Sequence, residues 1–448
     1  MRPVVMSRST TVKGPASVSG SLTVPGDKSI SHRVALLASI ADGPSRITGF
    51  ASSADCHATL DCIRRLGIDV EDTGAELLIH GKGLFGYSSN EPVVQLNAGN
   101  SGSTIRMISG LLAGQRFSSE ITGDASLCRR PMARIIEPLS LMGARIATTA
   151  TNFAPLTIHG QNLHSISYAS PVASAQVKTC VLFAGLLAQG RTIVSEPALS
   201  RNHTELMLRK FGAVVEASSF GAVSVEGLNE LTPLEYRVPG DVSSAAFFIA
   251  AASVLPDSDV VIRDVNLNPT RTAFVDVLKI LGASVQTRNS RERHGELIGD
   301  VVVSSAQLRS EDGGTRLSGA IIPNIIDEIP ILAVVATQVE GRVEVRDAKE
   351  LRIKESDRIR TVADGIRSLG GEIEEFDDGF AISGPQRLSG GRVETAGDHR
   401  IAMAFAIAGL IAEGTTEIID AGCASVSFPE FYESLALLTG PDSVGLGS

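Results

Sequence analysis

The chain is 448 residues long, with 43% hydrophobic residues, 44 glycines, and 40 Lys plus Arg against 50 Asp plus Glu, a formal net charge of −10. That length accommodates two or three domains. The acidic balance, with no basic cluster beyond pairs such as Arg64-Arg65 and Arg129-Arg130, speaks against a nucleic-acid partner, which needs a positive surface.

The longest apolar stretches, Ala245 to Leu255 and Ile401 to Ala412, fall short of the roughly 20 residues of a membrane helix, so no membrane partner is expected. Met1 to Thr10 carries no apolar run of signal-peptide length. The five cysteines, Cys56, Cys62, Cys128, Cys180 and Cys423, are odd in number and form no CxxC pair. They read as single buried thiols in a reducing, cytoplasmic compartment rather than as zinc ligands or disulfides.

One phrase recurs along the chain: a helical apolar stretch, a large apolar residue, one or two glycines, then an alternating run that reads as a strand. Copies fall at Leu66-Gly67-Ile68-Asp69-Val70, Met142-Gly143-Ala144-Arg145-Ile146, Phe211-Gly212-Ala213-Val214-Val215, Leu281-Gly282-Ala283-Ser284-Val285, Leu369-Gly370-Gly371-Glu372-Ile373 and, more weakly, Leu438-Thr439-Gly440. The glycines are spaced by 76, 69, 70, 88 and 70 residues, an internal repeat of about seventy. Each copy ends a helix on a glycine able to adopt the left-handed conformation and enters a half-buried strand. One such junction is ordinary in any α/β protein; the near-constant spacing is what argues for a repeat.

A second echo joins Val24-Pro25-Gly26-Asp27-Lys28-Ser29 to Val238-Pro239-Gly240-Asp241-Val242-Ser243, 214 positions later, about three repeats. The expected organisation is two lobes of three units, 26–239 and 1–25 with 240–448, joined by two crossover strands, with a ligand-burying cleft between them.

Polar motifs punctuate this apolar background in chain order. Gly26-Asp27-Lys28-Ser29-Ile30-Ser31-His32-Arg33 opens a helix where Ser29 or Ser31 would cap and Lys28 with Arg33 would add charge to free backbone N–H groups, a seat for phosphate or carboxylate. A plain capped helix with an exposed lysine is the alternative. Asn97 to Arg106 is a small-residue loop that lets a ligand approach the backbone. Arg129-Arg130-Pro131-Met132 sets an arginine before a proline read as the first helical residue; ordinary turn chemistry would give the same pattern. Ser174-Ala175-Gln176-Val177-Lys178 and Ser200-Arg201-Asn202-His203-Thr204-Glu205 start two further helices, either as ligand donors or as simple caps.

Ile326-Asp327-Glu328-Ile329-Pro330 lies within the apolar run Ala320 to Val335, where two carboxylates are costly unless used or paired. Leu351 to Arg358 reads as a helix opening with Lys354 and Arg358 at i and i+4 on one face, aimed at a common anion or offset by Glu355 and Asp357. Asp398-His399-Arg400 places an arginine at the start of an apolar helix, and no second His or Cys at ligand spacing supports a metal there. Cations gathered at helix starts in an acidic protein imply small polyanionic substrates, and a transferase that neutralises them with side chains alone.

These motifs, with Ser427-Phe428-Pro429-Glu430-Phe431, resemble the 3-phosphoshikimate 1-carboxyvinyltransferase family over essentially the whole chain. Ser174-Ala175-Gln176-Val177-Lys178, Arg201-Asn202-His203-Thr204-Glu205 and Asn268-Pro269-Thr270-Arg271 resemble its glyphosate-tolerant class II branch. The resemblance implies an inside-out α/β barrel of six βαβαββ units in two lobes. It also implies transfer of the enolpyruvyl group of phosphoenolpyruvate to the 5-hydroxyl of 3-phosphoshikimate, in aromatic amino acid biosynthesis, by a monomer without metal or cofactor. By the same resemblance Lys28, Ser29, Arg33, Ser174, Ala175, Gln176, Arg201, Asp327 and Lys354 would hold 3-phosphoshikimate. Lys28, Gly102, Arg130, Gln176, Arg358 and Arg400 would hold phosphoenolpyruvate. Asp327 would be the general base, and Glu355, with Lys28, would serve the methylene carbon.

Two departures accompany the match. Val426 stands where many relatives carry lysine, and Gly102 stands where class II relatives often carry alanine, so at most moderate glyphosate tolerance is expected. The rival readings are a UDP-N-acetylglucosamine enolpyruvyl transferase, with Cys128 near the region of that enzyme's acid, and a non-catalytic anion-binding repeat scaffold. The Lys28-Ser29 and Asp398-His399-Arg400 phrases favour the shikimate enzyme over the former.

Overall fold

The computed structural model describes residues 9–149, 151–218, 221–440 and 442–445. Six four-stranded sheets share one plan. In the unit that begins at Val93–Asn97, this strand is followed by helix Gly102–Ala113, strand Ser118–Thr122, helix Ala133–Leu141 and strands Arg145–Thr148 and Leu156–His159. The first strand pairs parallel with the second, the second antiparallel with the fourth, and the fourth antiparallel with the third. All six sheets have the order first, second, fourth, third. A parallel pair needs a crossover helix, and each antiparallel pair closes with a short turn, so the plan follows from a βαβαββ sequence.

The glycines of the repeated phrase, at 67, 143, 212, 282, 370 and 440, all have positive φ, between +78° and +97°. Each ends the second helix of its unit in a conformation that a side chain would strain.

The chain forms two compact units: residues 26–239 with 292–296, and residues 1–25 with 240–291 and 297–448. Each has three sheets and its own apolar core. Two sheets borrow a strand from a distant part of the chain. Glu235–Arg237 pairs with Asp42–Thr48, and Ser19–Thr23 pairs with Asp259–Asn266. In a third, the N-terminal strand Thr10–Gly14 pairs with Gly414–Ile419 and with Val444–Gly445. This last sheet accounts for the weakness of the sixth copy, whose strands come from opposite chain ends. Near the end of the chain Val444 and Gly445 are strand residues, while Pro441 and 446–448 lie outside the described residues.

The first helix of each unit is largely buried, and Ala175–Leu186, Val242–Val254 and His399–Ile411 are apolar on nearly every side, as such buried helices can be. In Val242–Val254 twelve of thirteen residues are buried. Gly110 marks one close crossing, because a Cβ there would lie 2.2 Å from the Cys180 carbonyl oxygen on helix Ala175–Leu186. Sheets outside and helices inside make an inside-out α/β barrel. Among the described residues no single helix is long and apolar enough to cross a membrane.

Candidate active site

The N-terminal ends of these inner helices carry the polar motifs, and in each unit hydrogen bonds tie those ends together. Unpaired N–H groups and the helix dipole favour anions at such ends. The caps differ from the serines expected near Lys28. Asp27 caps helix Lys28–Ser39, its carboxylate accepting from the Ile30 amide at 2.9 Å, because an ionised acceptor is the stronger cap.

In the unit of residues 26–239, the Lys28 ammonium lies 2.9 Å from Asp55 Oδ2. Arg201 Nη1 donates to Ser29 Oγ at 3.4 Å. Arg33 is 2% exposed and acts as a brace, donating to the Ser29 and Ala175 carbonyls and to the hydroxyls of Thr179 and Thr204, the last at 2.7 Å. Ser174 caps helix Ala175–Leu186. Arg106 Nη1 donates to Gln176 Oε1 at 2.7 Å, and Gln176 Nε2 to Ser103 Oγ at 2.9 Å. A Cβ at Gly102 would lie 3.1 Å from Arg106 Nη1 and 3.4 Å from Arg130 Nη1. Arg130 reaches Asn100 Oδ1 at 2.6 Å. Pro131 is not the first helical residue: helix Ala133–Leu141 starts after Met132, and Arg130 follows the short turn Leu127–Arg129 in an extended conformation.

Lys28, Ser29, Arg33, Gly102, Arg130, Ser174, Ala175, Gln176 and Arg201 thus belong to this one unit. Sequence reasoning passed over Asp55 and left Arg106 out of the site. The position of Arg106, four residues beyond Gly102 and so on the same helix face, was the signal for it.

In the other unit Asp327 sits at the break between helices Ile322–Ile325 and Ile329–Ala336, which interrupts the apolar run and leaves the carboxylate 19% exposed. Arg358 Nη1 is 3.6 Å and Arg400 Nη2 4.0 Å from it. Arg358 is 2% exposed; its Nε and Nη2 bind Asp398 at 2.8 and 3.2 Å, and Nη2 also reaches Glu355 at 2.7 Å. Among the described residues Arg358 Nη1 has no hydrogen-bond acceptor. Burial opposes the charge on Arg358, but Asp398, Glu355 and Asp327 outweigh it and raise its pKa further above the ordinary arginine value. Burial likewise opposes ionisation of Asp398, and Arg358 outweighs it, holding that carboxyl below its usual range.

Glu328, 2% exposed, accepts from Ser243 Oγ and lies 3.8 Å from Arg400 Nη1. Arg271 Nη2 in turn donates to Ser243 Oγ and Asp241 Oδ1. The buried second carboxylate is therefore paired, which is what its apolar context required.

Lys354 and Arg358 do not share a helix face. The helix begins at Arg358 with Asp357 as its cap, while Lys354 is non-helical after the turn Lys349–Ile353 and lies 3.4 Å from Glu350. Asp357 binds the Arg360 amide and Arg352, and those bonds fix the helix start four residues late. Val426 ends the short helical segment Ala421–Val426, half-buried. Of the thiols, Cys56, Cys62 and Cys180 are buried and Cys128 and Cys423 half-buried. Burial pushes Cys62 and Cys423 up to about 12.

Inner-helix starts that gather cations within each unit, Lys28, Arg33 and Arg106 in one and Arg400 beside Asp327 and Arg358 in the other, fit an α/β enzyme of small anionic substrates. The family model described as EPSP synthase (3-phosphoshikimate 1-carboxyvinyltransferase) matches residues 12–435. A protein of that name from Solibacter usitatus is 50% identical over 420 residues, covering 94% of this chain and 97% of its own. One from Alkaliphilus metalliredigens is 50% identical over 417 residues, covering 93% and 96%. The solved EPSP synthase of Acinetobacter baumannii has 40% identity and a TM-score of 0.84, covering 98% of each chain. The chain belongs to the EPSP synthase family.

Proposed function

We propose that the two clusters divide the work of one reaction, transfer of the enolpyruvyl group of phosphoenolpyruvate to the 5-hydroxyl of 3-phosphoshikimate with release of phosphate. The reaction itself follows from the family; the division of labour is our reading. Ser29, Arg33, Ser174, Ala175, Gln176 and Arg201 hold 3-phosphoshikimate with Lys28, Lys354 and Asp327, while Gly102, Arg130, Gln176, Arg358 and Arg400 hold phosphoenolpyruvate with Lys28. The observation that carries this is the setting of Asp327, a partly exposed carboxylate with Arg358 and Arg400 within 4.0 Å. Cations there bind the donor's carboxylate and stabilise charge that grows during addition, while the carboxylate between them takes the proton of the attacking hydroxyl.

Glu355, 2.7 Å from Arg358, and Lys28 serve the proton at the donor's methylene carbon. An alcohol is a weak nucleophile and an enol carbon a weak base, so the two need opposite proton transfers at one centre. We further propose that the enzyme works as a cytoplasmic monomer without nucleic-acid or membrane partners. Its acidic composition supports this reading.

Phosphate release measured with each acceptor tests the reading. Turnover with 3-phosphoshikimate and none with UDP-N-acetylglucosamine is expected. Turnover confined to the UDP-sugar overturns it, and release with neither returns the chain to an anion-binding scaffold.

A further inference from the structure

Lys178 follows two residues after Gln176 yet is buried and paired within the protein. Its side chain is 2% exposed, and its ammonium is 3.0 Å from Glu196 Oε2, 2.8 Å from Glu205 Oε1 and 3.5 Å from the Ser200 carbonyl, so its three protons each have an acceptor. The two carboxylates are 2% and 4% exposed. Glu196 is the hub. Its Oε1 accepts the Ser174 amide at 2.8 Å and its Oε2 the Ser200 hydroxyl at 2.7 Å. One buried carboxylate therefore clamps Ser174 and the residue before Arg201, while Lys178 locks that carboxylate to helix His203–Lys210 through Glu205.

Three charges buried together add little stability over an apolar packing of the same volume; what they fix is geometry. Gln176, by contrast, is anchored to a different helix by Arg106 and Ser103. The clamp thus acts on Ser174 and Arg201 and not on the groups assigned to the donor alone.

We propose that Lys178, Glu196 and Glu205 are positioning residues for the acceptor substrate, setting Ser174 and Arg201 at the spacing that 3-phosphoshikimate requires. This rests on the acceptor-binding role of Ser174 and Arg201 proposed above. Burial in a medium of low polarity makes the clamp stiff, since each charge has no water to exchange for its partner.

Steady-state kinetics with each substrate varied in turn tests it. Lys178→Met is expected to raise KM for 3-phosphoshikimate at least tenfold while KM for phosphoenolpyruvate and kcat stay within threefold. Glu196→Gln, which keeps an acceptor for the Ser174 amide but loses the charge that holds Lys178, is expected to shift the same constant in the same direction and serves if Lys178→Met does not fold. Both KM values unchanged in a folded variant, or both rising together with a fall in kcat, overturn the proposal. Ser174→Ala and Arg201→Met are measured alongside. If those two leave KM for 3-phosphoshikimate unchanged, the acceptor assignment itself fails; if they raise it and the clamp variants do not, the clamp alone fails.

Discussion

Arg358 and Asp398 form a buried two-point pair, 2.8 and 3.2 Å between the guanidinium and the two carboxylate oxygens, with side chains 2% and 0% exposed. The same carboxylate caps helix His399–Ile411 through the Arg400 amide at 2.9 Å. It therefore orients Arg358 and Arg400, two of the three arginines assigned to the donor. Asp398→Asn keeps a capping oxygen but leaves a buried guanidinium half-paired, which costs about 3–5 kcal/mol. Chemical denaturation at pH 7 checks this. Because Asp398 titrates below its ordinary value of 3.8, its contribution is present above that pH and lost as pH falls through the folded value. The variant is expected to show a shallower acid limb than the parent.

Asp327→Asn and Glu355→Gln are expected to lower kcat by about 10²–10⁴ while the protein still binds its substrates, the usual size of a lost acid or base. Stopped assays with saturating substrates and calorimetric binding separate the two effects. Near-parental kcat in both would remove the proton-transfer roles given to them.

His32 is fully buried, with Nδ1 2.7 Å from Thr59 Oγ1. Burial, then the nearby charges of Lys28 and Arg33, holds its pKa well below 6.5. The folded protein thus stays neutral there at pH values where the unfolded chain takes up a proton. Stability is undiminished above pH 6.5 and declines as pH falls toward the folded value, by up to about 1.4 kcal/mol per pH unit. His32→Asn should flatten the urea-midpoint profile between pH 6.5 and 5; an unchanged slope would show that another group dominates.

Gly110→Ala places a methyl 2.2 Å from the Cys180 carbonyl oxygen, a contact that only movement of the two helices can relieve. Those helices carry Gly102, Arg106 and Gln176. A loss of about 1–3 kcal/mol is expected, the usual range for overpacking. Thermal denaturation measures it, and a rise in KM for phosphoenolpyruvate should accompany it.

Gly102→Ala sets a methyl 3.1 Å from Arg106 Nη1, the movable end of a side chain. The fold should tolerate it, with KM for phosphoenolpyruvate and the glyphosate inhibition constant both rising, the latter more. An inhibition constant for the parent as low as that of a sensitive enzyme would overturn the moderate tolerance expected of it.

Much of the candidate site was legible because its residues sit at or beside helix starts, where polar side chains interrupt apolar runs. Asp327, Arg358 and Arg400 stood out in this way, and the structure brings both arginines within 4.0 Å of the Asp327 carboxylate. Lys354 misled, since a four-residue spacing signals a shared face only inside a helix, and Asp357 delays the helix to Arg358. Arg33 reads as a ligand cation in the sequence, and in the fold it also donates to the hydroxyls of Thr179 and Thr204. Nothing local distinguishes a cation that meets solvent from one that meets buried hydroxyls.

The amino-acid sequence by itself determined the repeat. A glycine that must take positive φ after a helix is a local requirement, so its six positions mark six units without reference to anything distant. Only the tertiary structure decided which strands complete them. Thr10–Gly14 joins Gly414–Ile419, and Lys178 finds Glu196 and Glu205. Backbone hydrogen bonds between strands carry no residue-specific code, and a buried charge shows that it needs a partner but not which one. Both choices are settled by packing between segments far apart in the chain.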